Sequence, residues 1–167
     1  ELWIFVADLY RNYTISKENG TENDEMISFD KFIQAFTDSV IAAQNVVSSA
    51  ESMGLGTNYY GNIHNSTQDI IDLLNLPKYT YPVVGLGFGY PNQNPQLKPR
   101  MPITLKSFAN TYKFFDNYNE EIKDYDAEMT TYYDLRESNK RSDSFSLQIP
   151  KKQGTIIANR NKMFETL

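Results

Sequence analysis

The sequence predicts a domain of mixed class, in which buried strands pack on one long helix. Three stretches carry that expectation. Leu2 to Ala7 is a continuous apolar run, the signature of a fully buried strand. Phe29 to Met53 has helical spacing in Phe32, Phe36, Val40, Val47 and Ala50, with Ile33, Ile41, Ala42, Ala43 and Val46 filling its other faces. A helix apolar nearly all round is expected in the core, with room for a second helix, from a twofold partner, beside it. Tyr81 to Tyr90 (YPVVGLGFGY) reads as a second buried strand.

The chain has 167 residues, enough for a single domain over 1–167 but not comfortably for two. Hydrophobic residues at 40% and charged ones at 22% place it among globular proteins. A formal net charge of −5 argues against nucleic acid or an anionic membrane as partner, since both need a basic face. The lack of cysteine excludes disulfides and thiolate chemistry, and a single histidine argues against a His-ligated metal. No apolar run approaches the roughly 18 residues of a membrane span, and no signal peptide opens the chain, so the cytoplasm is the default location. A buried strand at residue 2 without an initiator Met leads us to expect an N-terminal truncation.

Taken in order, Asp8 to Arg11 turns into a polar loop, with residues 16–24 (SKENGTEND) solvated. Gly54 and Gly56 stop the long helix. Thr57 to Ile63 is a short strand or strand-like turn, where Gly61 lets the backbone approach a planar ligand without a Cβ in the way. Asn65 or Ser66 caps a helix from Thr67 to Asn75, whose Ile70, Ile71, Leu73 and Leu74 face the core, and Pro77 ends it. The GLGFG of the next strand does not open a helix, so it is no dinucleotide loop; its glycines are expected to bring the sheet close to a helix.

Pro91, Pro95, Pro99 and Pro102 stiffen the following segment. Lys98 and Arg100, two apart in it, form either a phosphate clamp or an exposed, solvated pair. An acidic amphipathic helix spans Asn119 to Arg141, with Ile122, Tyr125, Met129, Tyr132 or Tyr133, and Leu135 as its inner stripe. It closes on Arg136, Lys140 and Arg141, an anion site or simply favourable charge at a helix C-terminus.

The ordered blocks IAAQNVVSSAESMGLGTNYYGNI, LNLPKY, VVGLGFGYP, PQLKPRMP and YYDLRESNKR resemble the FMN-dependent nitroreductase superfamily. The branch is that of NADPH flavin reductases and oxygen-insensitive nitroreductases, and the likeness covers essentially the whole chain. It implies an α+β fold, a mixed sheet flanked by helices, in a homodimer with FMN at the subunit interface. Tyr59, Tyr60, Gly61 and Asn62 match the segment whose backbone touches the flavin ring. Asn62 stands where relatives often carry a second glycine, and His64 where they often carry Arg; His64 is given no catalytic role. Lys98, Pro99 and Arg100 match the phosphate clamp, and Arg136, Lys140 and Arg141 the place of the NADPH 2′-phosphate. The family's N-terminal phosphate motif is not in this chain, which would supply half of an FMN site.

The implied activity is ping-pong hydride transfer from NADPH through FMN to nitroaromatics, quinones or free flavin, with no catalytic side chain from the protein. The alternative is a truncated, catalytically weak flavin-fold remnant or interaction module. A hydrolase built on His64 has a single candidate base behind it.

Overall fold

The computed structural model describes residues 1–135 and 144–154, which fall into two compact units, one within 1–93 and one within 94–156. The first contains strand β1 (Leu2–Asp8), helices α1 (Tyr10–Glu18) and α2 (Phe29–Ser52), strand β2 (Gly56–Tyr60), helix α3 (Thr67–Leu74) and strand β3 (Thr80–Gly89). The strands form one sheet in the order β1-β3-β2, with both pairings antiparallel. Among the described residues there is no parallel pair of the kind a mixed sheet requires.

The middle strand is the buried one. Tyr81, Val83 and Leu86 are each at most 3% exposed, and Ala7 of β1 joins Tyr81 and Val83 in a core that Phe32, Ala35 and Phe36 of α2 cover. β1 is not fully buried as its apolar run suggests: Leu2 and Trp3 are exposed and only Ala7 is buried. Among the described residues it is an outer strand with one neighbour.

A proline sits in the middle of this central strand, which a ladder normally forbids. The register shifts between Phe5 and Val6, so that Val6 lies opposite Pro82, which has no N–H to give. The buried Ser39 hydroxyl of α2 lies 2.9 Å from Val6 O and 2.9 Å from Ala35 O, its one proton within reach of both carbonyls. A helix side chain thereby ties β1 to α2.

Ser28 caps α2 by accepting from Lys31 N, and Gly54 ends it at φ +79°. Gly54 N donates to Glu51 O and Leu55 N to Ala50 O, a Schellman closure that requires the left-handed backbone glycine allows. The helix is buried on one stripe only, Ser39, Ala43, Val47 and Ala50. Phe29, Ile33, Val40 and Ile41 are exposed, which corrects the expectation of burial all round.

Two further expectations change. The turn and polar loop after β1 is partly helical: Asp8 Oδ1 accepts Arg11 N at the start of α1, and Tyr13 of α1 packs its ring at a tilt against Tyr79. On α3, Ile70 and Ile71 are half-buried but Leu73 and Leu74 are exposed. Ser66 does not cap its backbone; its hydroxyl donates to the Asp69 carboxylate instead. The helix closes on Asn75 in the left-handed region, with Leu76 N donating to Ile71 O ahead of Pro77.

The second unit holds α4 (Tyr118–Glu121), α5 (Lys123–Leu135) and α6 (Phe145–Gln153). Asn117 caps α4 through bonds from Asn119 N and Glu120 N, and Ser144 caps α6 through Leu147 N. The one helix expected from Asn119 to Arg141 is two, α4 and α5, with 136–141 outside the described residues. Of its expected inner stripe Ile122, Tyr125, Met129 and Tyr132 are buried, Met129 completely, and the Leu135 side chain lies outside the description. Tyr125 packs edge-on against Phe145, and Asp126 Oδ1 accepts Ser146 N, which fixes α6 on α5.

Candidate functional site

Strand alternation divides the Tyr59-Tyr60 pair between the two faces of the sheet. The Tyr59 hydroxyl reaches Gln44 Oε1 of α2 at 3.2 Å, so Tyr59 lies on the helix-covered face. Tyr60 therefore lies on the opposite face, beside Gly85, its register partner, and over Gly87.

The two glycines are what let it lie there. A Cβ on Gly87 would stand 2.7 Å from Tyr60 Cε2. One on Gly85 would stand 3.2 Å from Tyr60 Cβ and 3.3 Å from Ile63 Cγ2. These glycines were expected to admit a helix; they admit instead the ring of Tyr60 and the side chain of Ile63. The reason is that β2 ends at Tyr60, and the chain folds at once into a tight turn, Gly61–Ser66, laid back across β3.

That turn, the sheet and α3 enclose a surface hollow of about 450 Å³, bordered by Leu2, Tyr60, Asn62, Ser66, Asp69 and Gly87. Its volume falls in the range of small-molecule sites, roughly 300–1,000 Å³. Of the residues singled out in the sequence, Tyr60 and Asn62 border it; Tyr59 points to α2 and is not part of it. Gly61 joins the two, with open space where a Cβ would stand. Gly87 was missed as a wall of the hollow, although GLGFG advertised a close approach there.

Below the hollow the turn is held by His64. Its Nε2 lies 2.9 Å from Val83 O and its Nδ1 lies 3.1 Å from the Tyr81 hydroxyl. A carbonyl only accepts, so Nε2 carries a proton, and in the neutral ring Nδ1 then accepts from Tyr81. Burial pushes the Tyr81 phenol above its ordinary range. Both ring nitrogens are engaged, and among the described residues no carboxylate is bonded to either, so the described residues do not give the geometry a His-based hydrolase needs.

The remaining candidates lie in the second unit or outside the described residues. Lys98 and Arg100 are exposed in an irregular segment and Pro99 is half-buried; Lys98 Nζ stands 5.7 Å over the ring of Tyr133. Arg136, Lys140 and Arg141 lie outside the described residues. Among the described residues no three His, Cys, Asp or Glu side chains could hold a metal ion, and no helix is long and apolar enough to cross a membrane.

The chain matches the models of the nitroreductase family over residues 29–90 and of the nitroreductase family C-terminal domain over residues 98–167. It is 34% identical over 167 residues to an oxygen-insensitive NADPH nitroreductase of Salmonella typhimurium, covering 100% of this chain and 66% of that protein. It is 34% identical over 149 residues to an FMN reductase (NADPH) of Bacillus subtilis, covering 88% of this chain and 60% of that one. A solved nitroreductase structure from B. subtilis superposes with a TM-score of 0.89 at 31% identity, covering 98% of this chain and 66% of that one. The chain thus spans 60% and 66% of the length of those two relatives. Two family models in chain order, relatives aligned along nearly all of the chain and a matching fold agree: the chain belongs to the nitroreductase family.

Proposed function

We propose that this chain forms part of the FMN site of an NAD(P)H-dependent flavin reductase or nitroreductase. The observation that carries this reading is the alignment along the whole chain with a relative named as an NADPH nitroreductase. The name of a second relative, an FMN reductase (NADPH), supports both FMN and NADPH.

The residues present fit a flavin. Open space at Gly61 leaves the backbone of the turn approachable by a flat ring, and the neighbouring hollow offers Asn62, a donor and an acceptor, beside the apolar wall of Tyr60. Lys98 and Arg100 are exposed cations able to meet a phosphate, the Arg bidentately. In this reading Tyr59 anchors β2 to α2, while Tyr60, Gly61 and Asn62 border the ring. Lys98 and Arg100, with Pro99 stiffening the segment between them, neutralise the phosphate. Arg136, Lys140 and Arg141 are proposed for the 2′-phosphate of NADPH.

Bound FMN supplies the hydride and electron chemistry by which NAD(P)H reduces a nitroaromatic, a quinone or free flavin. The protein's part is to bind, to orient and to keep the ring's surroundings fixed, which accords with a chain that brings no thiol and a fully engaged histidine. The exposed apolar stripe of Ile33, Val40 and Ile41 on α2 supports a homodimer, and a cytoplasmic setting is the one we propose.

The test is an absorption spectrum of the purified chain with FMN, before and after NADPH. The expected result is a yellow protein that bleaches on NADPH and recovers with a quinone. Protein that takes up FMN but never bleaches is the weak remnant; protein that takes up none contradicts the proposal.

A further inference from the structure

We propose that His64 is a positioning residue, which fixes the ligand-facing turn by completing β3 where β2 leaves it. The ladder between β2 and β3 ends at the pair Tyr60 and Gly85. Two residues further along β3, the carbonyl of Val83 has no β2 residue in register, and His64 Nε2 takes that place at 2.9 Å. A side chain thus donates the hydrogen bond that a longer strand would have given from its backbone. The second nitrogen, accepting from the Tyr81 hydroxyl at 3.1 Å, fixes the tautomer that makes this donation possible.

Three contacts therefore seat the turn on β3 in sequence. The ring of Tyr60 lies over Gly87, Ile63 lies against Gly85, and His64 bonds Val83 and Tyr81. Asn62 and Gly61 sit between the first contact and the other two, so their placement at the hollow follows from all three. The first two are van der Waals contacts that tolerate sliding; the imidazole bonds are directional and set the register of the turn. Rigid placement of the groups that border a ligand is what a cofactor site needs from its supporting residues. Tyr81, 3% exposed and part of the core under α2, ties that register to the body of the domain.

The proposal rests on the FMN reading for its consequence but not for its geometry, and the test separates the two. In the ligand-free chain, nitrogen-15 NMR of the His64 ring is expected to show a neutral imidazole protonated at Nε2. Amide exchange at Gly61 and Asn62 is expected to quicken about tenfold in His64→Ala, while amides of β1 and β3 away from the turn keep their native rates. His64→Gln, which keeps a donor for Val83 O, is expected to recover most of the slowing; Tyr81→Phe, which removes the partner that fixes the tautomer, is expected to lie between. An Nδ1-protonated ring, or native exchange at Gly61 and Asn62 in His64→Ala, overturns the proposal. So does uniform acceleration across the sheet, which marks a purely structural role. With FMN, His64→Ala is expected to bind about tenfold more weakly, at the scale of one lost hydrogen bond, and native affinity in that variant counts against the proposal. If the native chain binds no FMN, the functional reading fails while the tautomer and exchange measurements still decide the role of His64.

Discussion

Neighbouring glycines in this chain do opposite things, and the space around each one says which. Gly87 has Tyr60 Cε2 at 2.7 Å from where a Cβ would stand, whereas Gly61 has nothing within 4 Å. Gly87→Ala is expected to destabilise by about 1–3 kcal/mol through overpacking, seen as a lower denaturation midpoint. Gly61→Ala is expected to stay within about 0.5 kcal/mol of native stability yet to weaken FMN uptake, because the added methyl enters the space proposed for the ring. Tyr81 sets a pH limit. Burial raises its folded-state pKa, so its contribution is whole below pH of about 10, the ordinary value, and is lost as pH rises through the raised value. Native stability should therefore fall more steeply above about pH 10 than that of Tyr81→Phe in denaturant titrations followed by far-UV dichroism. Glycine at 61 and 87 was legible in the sequence, as was their link to close approach. What each approaches was not, since Tyr60 reaches Gly87 only through the β2–β3 register, a long-range pairing that no local pattern encodes.

At the scale of elements, the long helix, the central strand and the α5 stripe were all visible in apolar spacing. The helical period of Ile122, Tyr125, Met129 and Tyr132 survives intact in the folded unit because one face suffices to bury it. Met129, fully buried, is the test: Met129→Ala should cost about 2–5 kcal/mol in thermal or denaturant unfolding. Burial of β1 and α2 was over-read for a shared reason. Apolar content shows that an element wants cover on several sides, but the described residues bury α2 on one stripe only and leave most of β1 half-covered. Pro82 was the least legible feature. It stands where the β1–β3 register shifts and beyond Gly85, the last residue of β3 that β2 pairs, so no ladder bond from its nitrogen is called for; Ser39 binds the carbonyl of Val6 opposite it. Removing that hydroxyl in Ser39→Ala is expected to cost about 1–3 kcal/mol, the penalty of an unpaired polar group.

For the whole molecule, the family was legible because several blocks recur in order, and the models matching 29–90 and 98–167 follow the same arrangement. The two parts proposed to hold FMN lie on different units, the hollow at Tyr60 and Asn62 on the first and Lys98 and Arg100 on the second. The roles proposed for them differ in chemistry, the ring for the first and the phosphate for the second, and a ligand can report each. FMN and riboflavin share the ring and differ by the phosphate, so the ratio of their affinities isolates the cation grip. Titrating both into the native chain and into Lys98→Ala/Arg100→Ala, followed by flavin fluorescence, tests the account most directly. The native chain is expected to prefer FMN by roughly tenfold or more, the worth of charge-assisted bonds to a phosphate, and the double variant to bind the two flavins alike. Equal affinity in the native chain, or an undiminished preference in the variant, would contradict it.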